Sequence, residues 1–168
     1  MYRTLPDGTE LILRPIEPGD KARLSAALGR LSAETIRRRF FAAKPRFSSG
    51  ELRYLTEVDG HNHIALVALL ADDPERIVAV ARCVRLPDAP DTAEFAIVVG
   101  DALQGRGLGR LLAGALADAA RREGIRRFAA TMLAENEAVL AIMRTFSQRL
   151  ASKGTSHGVR EVLADLAA

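Results

Sequence analysis

The sequence predicts an α+β (mixed α/β) fold, in which helices flank a central, mostly antiparallel sheet of about six to seven strands. Two observations on the order of elements support this prediction. One strand and a group of helices precede three antiparallel strands, and the C-terminal part then alternates strand and helix. In addition, the 168 residues, 48% of them hydrophobic, suffice for one domain over residues 1–168 with a sizeable core.

The residue pattern of the N-terminal part predicts one strand and three helices. The segment ELILR is a short strand that Pro15 ends. Apolar residues then recur at helical spacing between Asp20 and Leu31. Ser48 and Glu51 have the spacing of a capping box and mark another helix start. The predicted elements are a strand at 10–14 and helices at 20–31, at 33–41 and from 48 onward.

The middle of the chain holds its longest apolar runs, at 63–70 and 77–86. The connecting ADDPER has the residues of a hairpin turn, so the two runs are predicted as paired strands. Leucines and alanines form one apolar stripe along a helix at 106–122. The other predicted elements are strands at 93–99, 127–132 and 158–166 and a helix at 136–150.

Composition argues against several classes of function. The net charge of +3 is small for a nucleic-acid-binding protein, and the only dense basic run, Arg37–Arg39, is interpreted as a solvated helix face, with an anion or partner site as the alternative. The apolar run at 64–71 is far shorter than the roughly 18 residues of a membrane span. Cys83 is the only cysteine, which indicates a reducing compartment, and no signal peptide is predicted. We therefore expect a cytoplasmic protein that binds neither nucleic acid nor membranes.

The stretch QGRGLG, residues 104–109, places three glycines where a helix begins. Each glycine destabilises a helix interior by about 1 kcal/mol relative to alanine, so a requirement other than helix stability must favour the three glycines. Glycines allow close approach of the backbone to a ligand, and free N–H groups at a helix start attract an anion, to which Arg106 and Arg110 can add charge. The spacing fits neither the Walker loop nor the dinucleotide fingerprint. An anion site is predicted, with a simple flexible turn as the alternative.

This motif resembles the Q/R-x-x-G-x-G/A pyrophosphate-binding motif of the GNAT superfamily of acyl-CoA-dependent N-acyltransferases. The strand before it, the leucine-rich helix after it, the strand at 127–132 and Asn136 follow the family's order, so the resemblance covers most of the chain. Four further segments are similar to the catalytic domain of bacterial protein lysine acetyltransferases. They are LRPI at 13–16, RRRFF at 37–41, LTEVDGHNHIALVAL at 55–69 and AEFAIVV at 93–99.

The resemblance implies acetyl-CoA as co-substrate, bound in a cleft that a splayed pair of strands forms. It implies strand-like hydrogen bonds from the strand end to the pantetheine arm and an N–H near Val99 that faces the thioester oxygen. It also implies a pyrophosphate site in the glycine turn. The residues expected to bind the cofactor are Ile97, Val98, Val99, Gln104, Gly105, Arg106, Gly107, Leu108, Gly109, Arg110 and Asn136, the last with helix capping as its alternative role.

Acyl transfer to an amine requires the neutral amine, which a lysine with a pKa of about 10.4 rarely provides at neutral pH. Glu94 is the lone acid of an apolar strand, and the resemblance places a catalytic glutamate in this AEF context. We therefore expect Glu94 to be the general base, with a solvent-facing strand residue as the alternative. Met143 stands where many relatives have a tyrosine that protonates the thiolate, so no general acid is assigned.

The remaining candidate side chains receive structural interpretations. His61 and His63 lack further ligands, so no metal site is predicted, and His63 is expected to support the substrate channel or cap its strand. Tyr54 is expected to be a packing residue, and Cys83 a small core residue.

The function expected first is acetyl transfer from acetyl-CoA to a protein lysine, by a monomer or homodimer. The alternatives are an acetyltransferase for a small amine, such as an aminoglycoside, polyamine or amino acid, and a non-catalytic acyl-CoA-binding sensor.

Overall fold

An eight-stranded sheet runs through the protein, and five α-helices pack on its faces in the computed structural model, which describes residues 1–166. The strands are β1 (Tyr2–Thr4), β2 (Glu10–Pro15), β3 (His63–Leu70), β4 (Ile77–Leu86), β5 (Ala89–Val99), β6 (Arg127–Leu133), β7 (Leu150–Ser156) and β8 (Val159–Asp165). The helices are α1 (Lys21–Gly29), α2 (Ala33–Phe40), α3 (Ser49–Thr56), α4 (Leu108–Arg122) and α5 (Glu137–Met143).

The sheet has the order β1-β2-β3-β4-β5-β6-β8-β7 and is antiparallel except between β5 and β6. The predicted α+β class and the six predicted strands are confirmed. Two further strands, β1 and β7, lie at the two edges of the sheet, which raises the observed total to eight. No helix within residues 1–166 combines the length and the apolar character needed to cross a bilayer.

The predicted helix at 136–150 is wrong in its second half. Helix α5 ends at Met143, and β7 begins at Leu150. Between them the Thr145 hydroxyl donates to the Ile142 carbonyl at 2.6 Å, and the Ser147 hydroxyl donates to the Arg149 carbonyl at 2.8 Å. These short hydroxyl groups bond to the backbone locally and thereby favour a turn over continued helix.

Each face of the sheet carries its own core. On one face, Leu112 of α4 is fully buried, and Phe95 and Phe128 stack with ring centroids 5.2 Å apart. On the other face, Val67 and Val80 are buried beneath the layer that contains α1 and α3. The sheet therefore separates two layers of helices, with α1–α3 on one side and α4 and α5 on the other.

Strands β5 and β6 diverge after a short parallel contact. Their register runs from Thr92 opposite Arg127 to Glu94 opposite Ala129 and stops there. On its other edge, β5 continues to pair with β4 as far as Val99. The second half of β5 therefore has one free edge, and the predicted splayed pair of strands is present.

Cys83 lies in β4 with no exposed surface, as predicted for a small core residue. Burial raises the pKa of its thiol to about 12, so the reactive thiolate is scarce at mildly alkaline pH. We expect Ellman's reagent to leave native protein unmodified over the time in which it titrates one thiol per chain in guanidinium chloride. Rapid modification of folded protein would contradict the buried placement.

Candidate active site

Helix α4 begins in a glycine turn whose backbone donors are unused by the protein. Gly105 and Gly107 have φ values of 72° and 91°, in the left-handed region that favours glycine. Gly107 is the N-cap of α4. Within residues 1–166, the backbone N–H groups of residues 105–110 donate no hydrogen bond. A helix start with free amides and no side-chain cap is a binding site for an anion.

The third glycine of the motif has a different role. Gly109 is helical, and a Cβ atom built on it would lie 2.8 Å from Ile142 Cδ1 and 3.5 Å from Val99 Cγ2. Its lack of a side chain therefore allows α4 to pack closely against α5 and β5. Two glycines shape the turn, and the third brings the neighbouring elements together.

The free edge of β5 opens into a cleft of about 430 Å³ between α2, β6, the start of α4 and α5. The cleft brings together ten of the predicted site residues, which are separated by as many as 42 positions in the chain. They are Glu94, Ile97, Val98, Val99, Gln104, Gly105, Gly107, Gly109, Arg110 and Asn136.

The side chains of two predicted cofactor-binding residues lie elsewhere. Arg106 forms an ion pair with Asp7 and also donates to the Ala102 carbonyl at 3.3 Å. Leu108, the first residue of α4, is fully buried in the core. The turn therefore presents the backbone amides of these two residues, and their contact with a cofactor stays a prediction.

The end of β5 directs a backbone N–H into the gap beside β6. Gly100 donates its N–H to the Val78 carbonyl on β4 at 2.8 Å. Because successive strand residues direct their backbone groups to opposite edges, the N–H of Val99 points away from β4, toward the cleft. The Val99 carbonyl accepts a hydrogen bond from Gln104 Nε2 at 3.0 Å. A fixed donor therefore faces the cleft where the resemblance places one.

A polar network that the sequence analysis missed ties α2 to this turn. The Asp101 carboxylate accepts from the Ser32 hydroxyl at 2.6 Å and from the Thr35 hydroxyl at 2.8 Å. Gln104 Nε2 donates to Thr35 Oγ1 at 3.1 Å. Desolvation alone would raise the pKa of Asp101, but the hydrogen bonds from Ser32 and Thr35 hold it below its ordinary value. Gln104 thus connects β5 to α2 through its side chain.

Glu94 is exposed on the α1–α3 side of the sheet and is the last residue of β5 in register with β6. The register aligns it with Val84 on β4 and, beyond that, with His63 on β3. Arg39 at the end of α2 lines the same cleft. Glu94 is therefore accessible from the side of α2, opposite the layer that contains α4.

His63 is buried and accepts a hydrogen bond from Arg82 Nη1 at 3.0 Å. Burial, together with the charge of Arg82, lowers the pKa of His63 to about 4. The imidazole is thus neutral at physiological pH and orients a buried arginine. His61 instead contacts Glu123 at the surface. Within residues 1–166 no cluster of three or more potential metal ligands is present.

Three other residues can now be placed. Asn136 is buried, lines the cleft and caps α5 by accepting from Val139 N–H at 3.4 Å, so its capping role is present and its cofactor contact stays a prediction. Met143 is fully buried. Tyr54 is 57% exposed, and its ring packs against that of His63 with centroids 4.9 Å apart.

Comparison with protein families and relatives agrees with this geometry. The profile of the acetyltransferase (GNAT) family matches residues 32–146. The acetyltransferase Pat of Mycolicibacterium smegmatis is 38% identical over 136 residues, which are 81% of this chain and 40% of that protein. An acetyltransferase of Pseudomonas aeruginosa is 32% identical over 137 residues and 73% of its length. The chain thus spans less than half the length of the first of these relatives.

Solved structures extend the similarity to the whole chain. The GNAT domain of S. lividans PAT has a TM-score of 0.88 and 32% identity, covering 99% of this chain and 96% of that one. The cAMP-binding acyltransferase from Mycobacterium smegmatis has a TM-score of 0.68 and 30% identity, covering 100% of this chain and 47% of that one. A putative acetyltransferase from Salmonella typhimurium, solved with acetyl-CoA, shares the fold at 18% identity and a TM-score of 0.71.

Proposed function

Since the chain belongs to the GNAT family of acetyltransferases, we propose that it transfers an acetyl group from acetyl-CoA to a lysine side chain of a protein. One observation carries this proposal: a single cleft contains free backbone amides at the α4 start, a free strand edge on β5 and the carboxylate of Glu94. These are the groups needed to bind a pyrophosphate, to align an extended acyl donor and to accept a proton.

The residues of the cleft fit acetyl-CoA. The amides of residues 105–110 and the guanidinium of Arg110, which has no ion-pair partner within residues 1–166, would bind the pyrophosphate. The free edge at 97–99 would pair with the pantetheine arm, and Asn136 lies further along the same cleft. When bound, acetyl-CoA would supply the thioester whose acyl carbon the amine attacks.

The two sides of the sheet give the two substrates different routes. The glycine turn belongs to the layer of α4, whereas Glu94 faces the layer of α2. In the proposed reaction the amine approaches from the α2 side, and Glu94 accepts its proton directly or through one water. The Val99 N–H stabilises the negative charge that develops on the carbonyl oxygen. The thiol of CoA has a pKa near that of cysteine, about 8.5, and can leave without a dedicated acid.

The charges of the cleft favour a protein over a small polycation as acceptor. Glu94 is the only carboxylate among the described residues that line it, whereas Arg38, Arg39 and Arg110 all do so. A polyamine or aminoglycoside carries several positive charges and would be repelled by Arg39 and Arg110, whereas Arg38 pairs with Glu34. Phe41, 43% exposed at the cleft, offers apolar surface to a peptide segment.

The proposal is tested by incubating the protein with acetyl-CoA and a bacterial lysate and mapping acetyl-lysine by mass spectrometry. We expect new acetylated sites that depend on active protein and are absent with the Glu94→Gln variant. A parallel panel of polyamines, aminoglycosides and amino acids tests the other enzyme class. Turnover of a small amine alone would contradict the protein substrate. Acetyl-CoA binding without turnover of any amine would instead indicate the sensor.

Metal removal is expected to leave the activity unchanged. Glu94 and the Val99 N–H supply the base and the electrostatic stabilisation that aminolysis of a thioester requires. The measurement is the initial rate after exhaustive dialysis against EDTA, compared with a mock-dialysed sample. Loss of activity that a single added metal ion restores would contradict this prediction.

A further inference from the structure

The arginine run on α2 does not act as one solvated face. Arg37 pairs with Glu34 at 3.2 Å and with Glu135 at 3.0 Å, and Arg38 pairs with Glu34 at 2.9 Å. Arg39 forms no hydrogen bond or ion pair within residues 1–166, although its side chain is half-buried in the cleft. Two arginines of the run are thus neutralised by the protein, and the third is not.

The guanidinium of Arg39 is held in place without an anion. Its Cζ lies 4.9 Å from the centroid of the Phe40 ring, a cation–π geometry. Thr35, one helical turn earlier, is anchored to Gln104 and Asp101. Arg39 lies four residues, about 6 Å of helix, beyond this anchor and lines the same cleft as the glycine turn and Glu94.

A second cation, Arg82 of β4, pairs in the sheet with Ala96 of β5, which lines the cleft. Its side chain is buried, and its Nη1 donates to the Leu55 carbonyl at 3.2 Å and to His63 Nε2 at 3.0 Å, neither of which is an anion. Burial, and then the charge of Arg39, lower the pKa of Arg82 to about 10, so it stays charged at neutral pH.

Arg39 in the cleft and Arg82 in the adjacent strand therefore have no hydrogen-bonded carboxylate within residues 1–166. Glu94 acts on Arg39 through its charge but forms no hydrogen bond with it within residues 1–166. Partly desolvated cations are costly unless an anion pairs with them. Because no carboxylate within residues 1–166 forms an ion pair with Arg39, its guanidinium can pair with an anion from another molecule.

We propose that Arg39 binds an aspartate or glutamate side chain of the acceptor protein close to the target lysine, with Arg82 adding positive charge from β4. The inference rests on the proposed function and adds a sequence preference to it. The lysine would approach Glu94, and a neighbouring carboxylate would approach Arg39, so that the acceptor's charges complement those of the cleft. The donor's phosphates are expected at the α4 start, beyond the anchor formed by Thr35.

The test uses two synthetic peptides that each contain one lysine, flanked by glutamates in one peptide and by glutamines in the other. Wild-type protein is expected to show kcat/KM about tenfold or more higher for the glutamate peptide, as for a charge-assisted hydrogen bond. Arg39→Gln should reduce that ratio to near one while still acetylating the glutamine peptide. Arg37→Gln removes the same charge from the same helix and should keep the wild-type ratio.

Each other outcome overturns the inference. A wild-type ratio of one, or a ratio that Arg39→Gln leaves intact, shows that Arg39 does not bind the acceptor's carboxylate. An Arg39→Gln variant that raises KM for acetyl-CoA and keeps the peptide ratio would assign Arg39 to a donor phosphate. Equal loss of kcat for both peptides would make it a positioning residue for Glu94. Failure of the wild type to acetylate any lysine, in peptides or lysate, refutes the proposed function itself.

Discussion

Glu94→Gln is expected to lower kcat by a factor of about 10² to 10⁴ while leaving the fold and the affinity for acetyl-CoA unchanged. Glutamine keeps the size of the side chain and removes its basicity. Glu94 is exposed on the α2 side of the sheet, so the substitution disturbs no buried contact. The turn at 105–110 lies in another part of the cleft, and donor binding should therefore be insensitive to it.

The rate of the variant should recover as pH rises, because free amine then becomes available without a base. A lysine with a pKa of about 10.4 gains tenfold in its neutral fraction per pH unit near neutrality. The measurement is kcat against pH for wild type and variant at saturating acetyl-CoA. Glu161→Gln is the matched control, since Glu161 lies on β8 outside the cleft and pairs with Lys153. A Glu94→Gln enzyme as fast as wild type at neutral pH would leave Glu94 as an ordinary strand residue.

If Glu94 fails this test, His63 is a poor second candidate for the base. Its pKa is lowered to about 4, so its conjugate acid is too strong for the neutral imidazole to accept a proton readily from an ammonium. Its Nε2 also already accepts the hydrogen bond from Arg82. A histidine is a common general base by residue type, but the burial of this one, which the sequence does not show, argues against that role.

The sequence predicted what depends on local pattern. Apolar alternation and run length predicted the inner strands, and the glycine spacing predicted the turn before α4. The edge strands β1 and β7 were missed because their residues are mostly exposed. Their sequences therefore lack the alternation of apolar and polar residues that predicts a half-buried strand. Residues 150–156, LASKGTS, acquire strand structure by pairing with β8, a contact that no local signal predicts.

In the site, likewise, the local motif could be predicted from the sequence, whereas the contacts between distant residues could not. QGRGLG predicted a helix start with open amides, yet the motif alone could not separate the two turn-forming glycines from Gly109, which packs against Ile142. The link between Asp101 and Thr35 joins residues 66 positions apart. The distinction between Arg39 and its neighbours likewise depends on where Glu34 and Glu135 fall in three dimensions.

Gly107→Val is expected to weaken the binding of CoA by at least about a hundredfold, the contribution of two charge-assisted hydrogen bonds of about 1.5 kcal/mol each. Gly107 has a φ of 91°, which a β-branched residue rarely adopts. Apart from its chain neighbours, no atom of residues 1–166 lies within 4 Å of the position its Cβ would occupy, so the fold has room for the side chain. The loss should arise from displaced amides and from a branched side chain where backbone meets phosphate.

Calorimetric titration with CoA measures this effect, and thermal unfolding reports whether the variant is folded. Gly114→Ala is the matched control, because Gly114 lies inside α4 with ordinary helical φ and free space around it, and its affinity should equal that of wild type. If the Gly107→Val variant does not fold, the same titration is done with Gly107→Ala, because alanine is less strained than valine at this φ. A folded Gly107 variant with unchanged affinity for CoA would mean that the pyrophosphate does not bind at the amides of this turn, and the start of α4 would lose its proposed role.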